Sequence, residues 1–190
     1  MFLRSRPTDE FVAGFIARQE QLPFSYSRPG ATQGQPPAGF TPDHNRVQLG
    51  TGQQTYERAV AALQNWQQFQ LGWLTIRPPG KRLVVGTTVA VEANTFGFWS
   101  LNAARVVYVL DACKEGQASF GFAYGTLPDH VERGEERFLV EWCGDNSVWY
   151  DIYAFSRPRH VLAWAGFPIT RMLQRRFVRD SQAAMLLAAA

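Results

Sequence analysis

Phe120-Gly121-Phe122-Ala123-Tyr124-Gly125 is the stretch on which the reading of this chain turns. Side chains on a β-strand point alternately to opposite faces, so Phe120, Phe122 and Tyr124 share one side and Gly121, Ala123 and Gly125 the other. The ring side requires burial in a core or a pocket, and the small side lets another element approach the backbone closely. The same two-residue period extends both ways, giving candidate strands at 71–77, 83–93, 97–110, 118–126, 136–143 and 148–155, with a short one at 46–49. Gly144-Asp145-Asn146 reads as the hairpin joining the final pair.

Helical signals flank this run. Thr8 is placed to cap a helix with Asp9 and Glu10 in its first turn, and Phe11, Phe15, Ile16 and Gln19 follow at helical spacing to about Leu22. Residues 23–45 read as a loop because Pro23, Pro29, Pro36, Pro37 and Pro42 are interspersed with glycines. Gly50-Thr51-Gly52 is a turn into a helix over 54–66, with Thr51 or Thr55 as its cap and Tyr56, Ala59, Val60, Leu63 and Trp66 on one side. At the C-terminal end Ser156 serves as a cap, Pro158 fits a first turn, and Pro168 interrupts a helix that resumes to about Leu187. Its second part carries an apolar stripe of Ile169, Leu173, Phe177, Ala184 and Leu187, with Arg171, Arg175 and Arg179 on another face and Arg176 spaced to pair with Asp180. Helices, then about six to seven antiparallel strands, then one long helix define an α+β class. A curved sheet wrapped around the terminal helix, the helix-grip arrangement, leaves a cavity between the two.

The chain has 190 residues, 46% hydrophobic and 18% charged, which excludes disorder and a charged coiled coil and fits one domain over 1–190. Aromatic residues are 14%, more rings than an ordinary core of this size demands, which favours a lined pocket. The net charge of +3 is unevenly spread: residues 154–190 hold six arginines against Asp180 alone. Such a basic end suits a solvated helix face, or docking on an acidic partner; no nucleic-acid module accompanies it, so nucleic acid is not the expected partner. Cys113 and Cys143 lack metal-ligand spacing and are expected as reduced core thiols. No secretory signal follows Met1, and the longest apolar runs, 161–169 and 183–190, fall well short of the roughly 20 residues that span a bilayer. The expected location is cytoplasmic.

The densest group of ionisable residues lies between Leu127 and Arg137. His130, with Glu132 or Glu135 behind it, is the candidate general base or metal ligand. The alternative is a charged loop whose acids pair with Arg133 and Arg137. A zinc site needs a third ligand at a recognisable spacing, and the deaminase Pro-Cys-x-x-Cys is missing, so no metal or cofactor is expected. Gly50-Thr51-Gly52 lacks the further glycine and lysine of a phosphate cradle, and no Gly-x-Ser-x-Gly elbow exists.

The segment from Phe120 through Leu127-Pro128-Asp129-His130-Val131-Glu132-Arg133-Gly134-Glu135-Glu136-Arg137 to Phe138 resembles the hallmark of the uncharacterised family called domain of unknown function 1990. Leu49–Gly52, Trp66, Trp73, Arg105–Val109 and Ala154–Pro158 match further elements in order, and Tyr26, Gly30, Ala31 and Thr32 match its early segment. Asp129 and Val131 stand where the pattern has Gly and Pro. The resemblance spans about 10–188 and implies a START-like (Bet v 1-like) helix-grip fold, often with a pocket for an apolar ligand. It implies no established activity and no catalytic residues.

Together these readings give a domain that holds a small apolar or aromatic ligand between sheet and C-terminal helix, lined by Tyr108, Phe122, Tyr124, Trp142, Tyr150 and Phe177. An enzyme on the same scaffold, using a pocket Tyr, His130 or Glu132, is the alternative. An interaction module built on the Arg-rich helix is the third.

Overall fold

The computed structural model describes residues 1–114, 116–158 and 167–190. Its elements are β1 (Phe2–Leu3), α1 (Asp9–Glu20), β2 (Thr41–Thr51), α2 (Gly52–Gln64), β3 (Leu74–Arg77), β4 (Thr88–Thr95), β5 (Phe98–Lys114), β6 (Gln117–Thr126), β7 (Glu132–Trp142), β8 (Ser147–Pro158) and α3 (Phe167–Ala189). The strands form one antiparallel sheet in the order β2-β8-β7-β6-β5-β4-β3, with β1 added to the start of β5. The aromatic strand β6 is therefore central, as its two-sided burial demands.

On the inner face Phe120, Phe122 and Tyr124 meet Phe138 and Val140 of β7, together with Leu63 of α2, Trp66 and Phe69 just after it, and Met185 of α3. α1 covers part of the outer face, where Val12, Phe15 and Ile16 pack on Ala90, Leu101 and Ala103. Thr8 caps α1 as expected, its Oγ1 accepting from Phe11 N–H at 3.2 Å. Arg105 closes the other end, donating at 2.9–3.1 Å to the carbonyls of Gln19, Glu20 and Leu22, where a cation complements the helix dipole. The small side of β6 is used as its composition suggests: a Cβ at Gly125 would run into Tyr26 and Phe24, which lie directly on that backbone.

Several boundaries differ from the sequence reading. β2 starts at Thr41, so the Pro-rich loop ends earlier than residue 45; Pro42 is tolerated because β2 is an edge strand. Ser156 and Pro158 belong to β8, whose pairing with β7 continues to Glu132↔Pro158, so Ser156 caps no helix. The expected helix over 159–166 lies outside the described residues, and α3 includes Pro168. Thr51 stands at the α2 N-cap, but its side chain makes no capping hydrogen bond; Gly52 N–H bonds to Asn146 carbonyl at 2.9 Å instead. Cys113 is exposed where the end of β5 pairs with the start of β6, and Cys143 is half-exposed by the β7–β8 hairpin, so neither is a core thiol. Arg176 and Asp180 pair at 3.5 Å as the spacing suggests.

Candidate functional site

Strand β7 sets the chemistry. Its period of two sends Glu132, Glu136, Phe138 and Val140 inward and Glu135 and Arg137 outward. α3 crosses the inner face but does not fill it, leaving a cavity of about 770 Å³ between helix and sheet. On the β3–β4 side its wall is apolar: Leu74, Val91 and Ala93, with Phe69, Trp73 and Phe177. On the β7–β8–β2 side it is polar, formed by Glu132, Glu136, Asp43, Asn45 and Ser156. Phe96, Phe98 and Ile169 stand exposed at its edge.

The Tyr124 hydroxyl donates to Glu136 Oε2 at 2.7 Å. Burial pushes the Glu136 carboxyl up to about 7; the Tyr124 bond opposes this, while Glu132 and Asp43 add to it. Glu132 is raised as well, by burial, against the Gln174 hydrogen bond and the charge of Arg171. Gln174 of α3 donates to Glu132 Oε1 at 2.7 Å and to Ser156 Oγ at 3.3 Å. Arg171 is held by Asp43 at 2.9 Å. Tyr124 itself is raised, by burial and then by the Glu136 charge, and stays protonated at neutral pH.

The six residues named as lining divide into three groups. Tyr124 and Phe177 line the cavity. Phe122 is fully buried against Trp66 and Phe138, with ring centroids at 4.9 and 5.3 Å, and Tyr150 is fully buried with its hydroxyl 2.9 Å from Ser181 Oγ. Trp142 stacks on Tyr56 and donates to Asn146 Oδ1 at 2.9 Å, at the far end of β7. These three sit where α2 and the end of α3 close the inner face. Tyr108 lies on the outer face, its hydroxyl 2.7 Å from Thr32 Oγ1. Strict alternation from Ala104 and Val106 would point it inward, but a bulge between Val106 and Tyr108 reverses the phase of β5.

Of the ionisable candidates, His130 and Glu132 border the cavity. His130 Nδ1 accepts from the Glu132 backbone N–H at 3.1 Å, which leaves the proton of a neutral ring on Nε2. Glu135 turns its carboxylate to the outer face and takes Tyr26 OH at 2.5 Å, Gly30 N–H at 2.7 Å, and Thr32 N–H and Oγ1 at 2.9 and 2.5 Å. It pins the Pro-rich segment, so the expected pairing of this stretch with Arg133 and Arg137 does not hold for Glu135; Arg137 pairs with Asp151 at 2.8 Å. Tyr26 is raised by burial and by Glu135. Glu136, Gln174 and Asp43 were not singled out from sequence. Glu136 opens the candidate strand 136–143 and is legible as an inward position by stepping back two residues from Phe138, but it also falls within the charged stretch Leu127–Arg137, which reads as a loop.

Among the described residues no group of three or more His, Cys, Asp or Glu is placed to hold a metal ion, and no helix is long and apolar enough to cross a membrane. Residues 25–184 match the family described as domain of unknown function DUF1990. The chain belongs to the DUF1990 family. The UPF0548 protein of Dictyostelium discoideum is 37% identical over 206 residues, covering 99% of this chain and 95% of its own. The UPF0548 protein of Deinococcus radiodurans is 37% identical over 203 residues, covering 100% and 99%. Among solved structures, a hypothetical protein of Helicobacter pylori is similar at 14% identity with a TM-score of 0.53, over 80% of this chain and 88% of its own. Human STARD10 aligns at 12% identity and a TM-score of 0.44, over 96% and 81%. The antiparallel sheet of this DUF1990 chain, with its long C-terminal helix across the inner face, is the helix-grip arrangement expected from the sequence.

Proposed function

We propose that this DUF1990 protein binds one small, mostly apolar molecule between its sheet and α3. The observation that carries the reading is the cavity of about 770 Å³, within the range of sites that enclose a drug-sized ligand. Binding is tested by fluorescence titration with N-phenyl-1-naphthylamine, a neutral apolar probe. Saturable one-to-one binding that is lost in Ala93→Phe and in Ala154→Phe, each checked for cooperative unfolding, supports it. No saturable binding, or binding that both cavity-filling variants retain, overturns it.

A second reading is favoured by one specific observation. A carboxyl at about 7 beside a tyrosine hydroxyl, facing a cavity, has the proton affinity of a general acid or base near neutral pH. It calls for turnover of a bound substrate that falls in Glu136→Gln while binding persists. The reading based on the face of Arg171, Arg175 and Arg179 finds less support, since Arg171 engages Asp43 and Arg179 engages Asp180 of their own fold, while Arg175 stands exposed.

A further inference from the structure

The cavity is chemically lopsided, and its polar side has an excess of acid. Glu132, Glu136 and Asp43 contribute three carboxyls to the β7–β2 wall. Asp43 is matched by Arg171, at 2.9 Å. Glu132 and Glu136 are not matched in this way: among the described residues neither has an arginine or lysine in ion-pair contact, and the side chains that donate to them are the neutral Gln174 amide and Tyr124 hydroxyl. They occupy inward positions of one strand with Gly134 between them, so no side chain of β7 stands in the gap. Each carboxylate has lone pairs beyond the single bond it accepts. Carboxylates withdrawn from water are ordinarily paired with a cation or else neutralised; among the described residues these two half-buried acids have no cation in contact, only the more distant charge of Arg171 acting on Glu132, and the space beside them is open.

We propose that the ligand is an amphipathic amine, its apolar body against Leu74, Val91, Ala93 and Phe177 and its ammonium group between Glu132 and Glu136. This rests on the ligand-binding reading and specifies its chemistry. An ammonium donates three hydrogen bonds and accepts none, which suits a wall that presents carboxylate acceptors. An ionised acid would meet Glu132 and Asp43 as like charges on the cavity wall, and a neutral alcohol would satisfy one carboxylate without balancing its charge.

Three probes sharing one ring system separate the possibilities at pH 8: 1-naphthylmethylamine, 1-naphthalenemethanol and 1-naphthaleneacetate, each competed against bound N-phenyl-1-naphthylamine. The amine is expected to bind at least about tenfold tighter than the alcohol, as one charge-assisted hydrogen bond supplies, and the carboxylate more weakly than either. Glu136→Gln should remove most of the amine's advantage and leave the alcohol within about threefold of wild type, and Glu132→Gln should act in the same direction. If the alcohol or the carboxylate binds as well as the amine, or if both glutamine variants keep the amine preference, the assignment is wrong although the cavity binds ligands. If neither the three probes nor N-phenyl-1-naphthylamine binds, the binding reading itself fails.

Discussion

Tyr124 and Glu136 stand directly opposite each other on β6 and β7, and the tyrosine hydroxyl donates to the carboxylate at 2.7 Å inside the cavity. Cross-strand pairing at this register fixes an acid whose proton affinity is moved into the neutral range.

Stability should therefore depend on pH in a defined window. The Glu136 carboxyl goes from 4.5 in the open chain to about 7 in the fold, so the folded state holds this proton more tightly. The contribution is full below about 4.5 and is lost as pH rises through about 7. Thermal unfolding from pH 4.5 to 8 should show stability declining over that interval. In Glu136→Gln the decline should shrink, with a gain of roughly 1–3 kcal/mol above pH 7. Superimposable profiles for the two proteins would contradict the burial of this acid.

Glu135 acts on the opposite face as an anchor. Glu135→Ala strips the acceptor from Tyr26 OH, Gly30 N–H and Thr32 N–H together. Each buried donor left unpaired costs about 1–3 kcal/mol, so a loss of roughly 3 kcal/mol or more is expected in urea unfolding. Hydrogen exchange should localise the damage to the segment around residues 24–33; uniform loss of protection across the sheet would point to a different role.

Two aromatic truncations should separate core from cavity wall. Phe122 is fully buried between rings, and Phe122→Ala should cost about 3–5 kcal/mol of stability. Phe177 already borders empty space, so Phe177→Ala should cost less stability than Phe122→Ala and change binding of N-phenyl-1-naphthylamine more. The comparison is read from denaturant midpoints and dissociation constants of the same preparations.

Arg105→Ala should free three carbonyls at the end of α1 and cost about 1–2 kcal/mol, measured by thermal unfolding. Lysine at this position should not restore the loss fully, since a single ammonium lacks the planar fork that also reaches Thr88 Oγ1 at 3.2 Å.

The sheet was legible because its strands alternate cleanly. The rings of β6 and the glycines opposite them state which face is core and which face accepts Tyr26, and the structure uses both. Legibility stopped where one residue changes the phase. The bulge at Val106/Tyr108 leaves no mark in composition, yet it moves Tyr108 from the inner to the outer face. Glu136 was hidden for another reason: it opens the candidate strand 136–143 but also ends the charged stretch Leu127–Arg137, and only its pairing with Tyr124 and Ala154 places it firmly in the sheet, facing the cavity. Which inward rings border empty space is likewise set by how far α2 and α3 reach over the sheet, so Phe122 and Phe177 look alike in sequence and differ in the fold.

The most direct measurement is native mass spectrometry of the protein purified gently from its own cells, and again after incubation with N-phenyl-1-naphthylamine. A ligand-binding cavity gives a one-to-one adduct of small-molecule mass, absent from Ala93→Phe prepared in parallel. The bare polypeptide in both preparations, or adducts that Ala93→Phe retains unchanged, would contradict it.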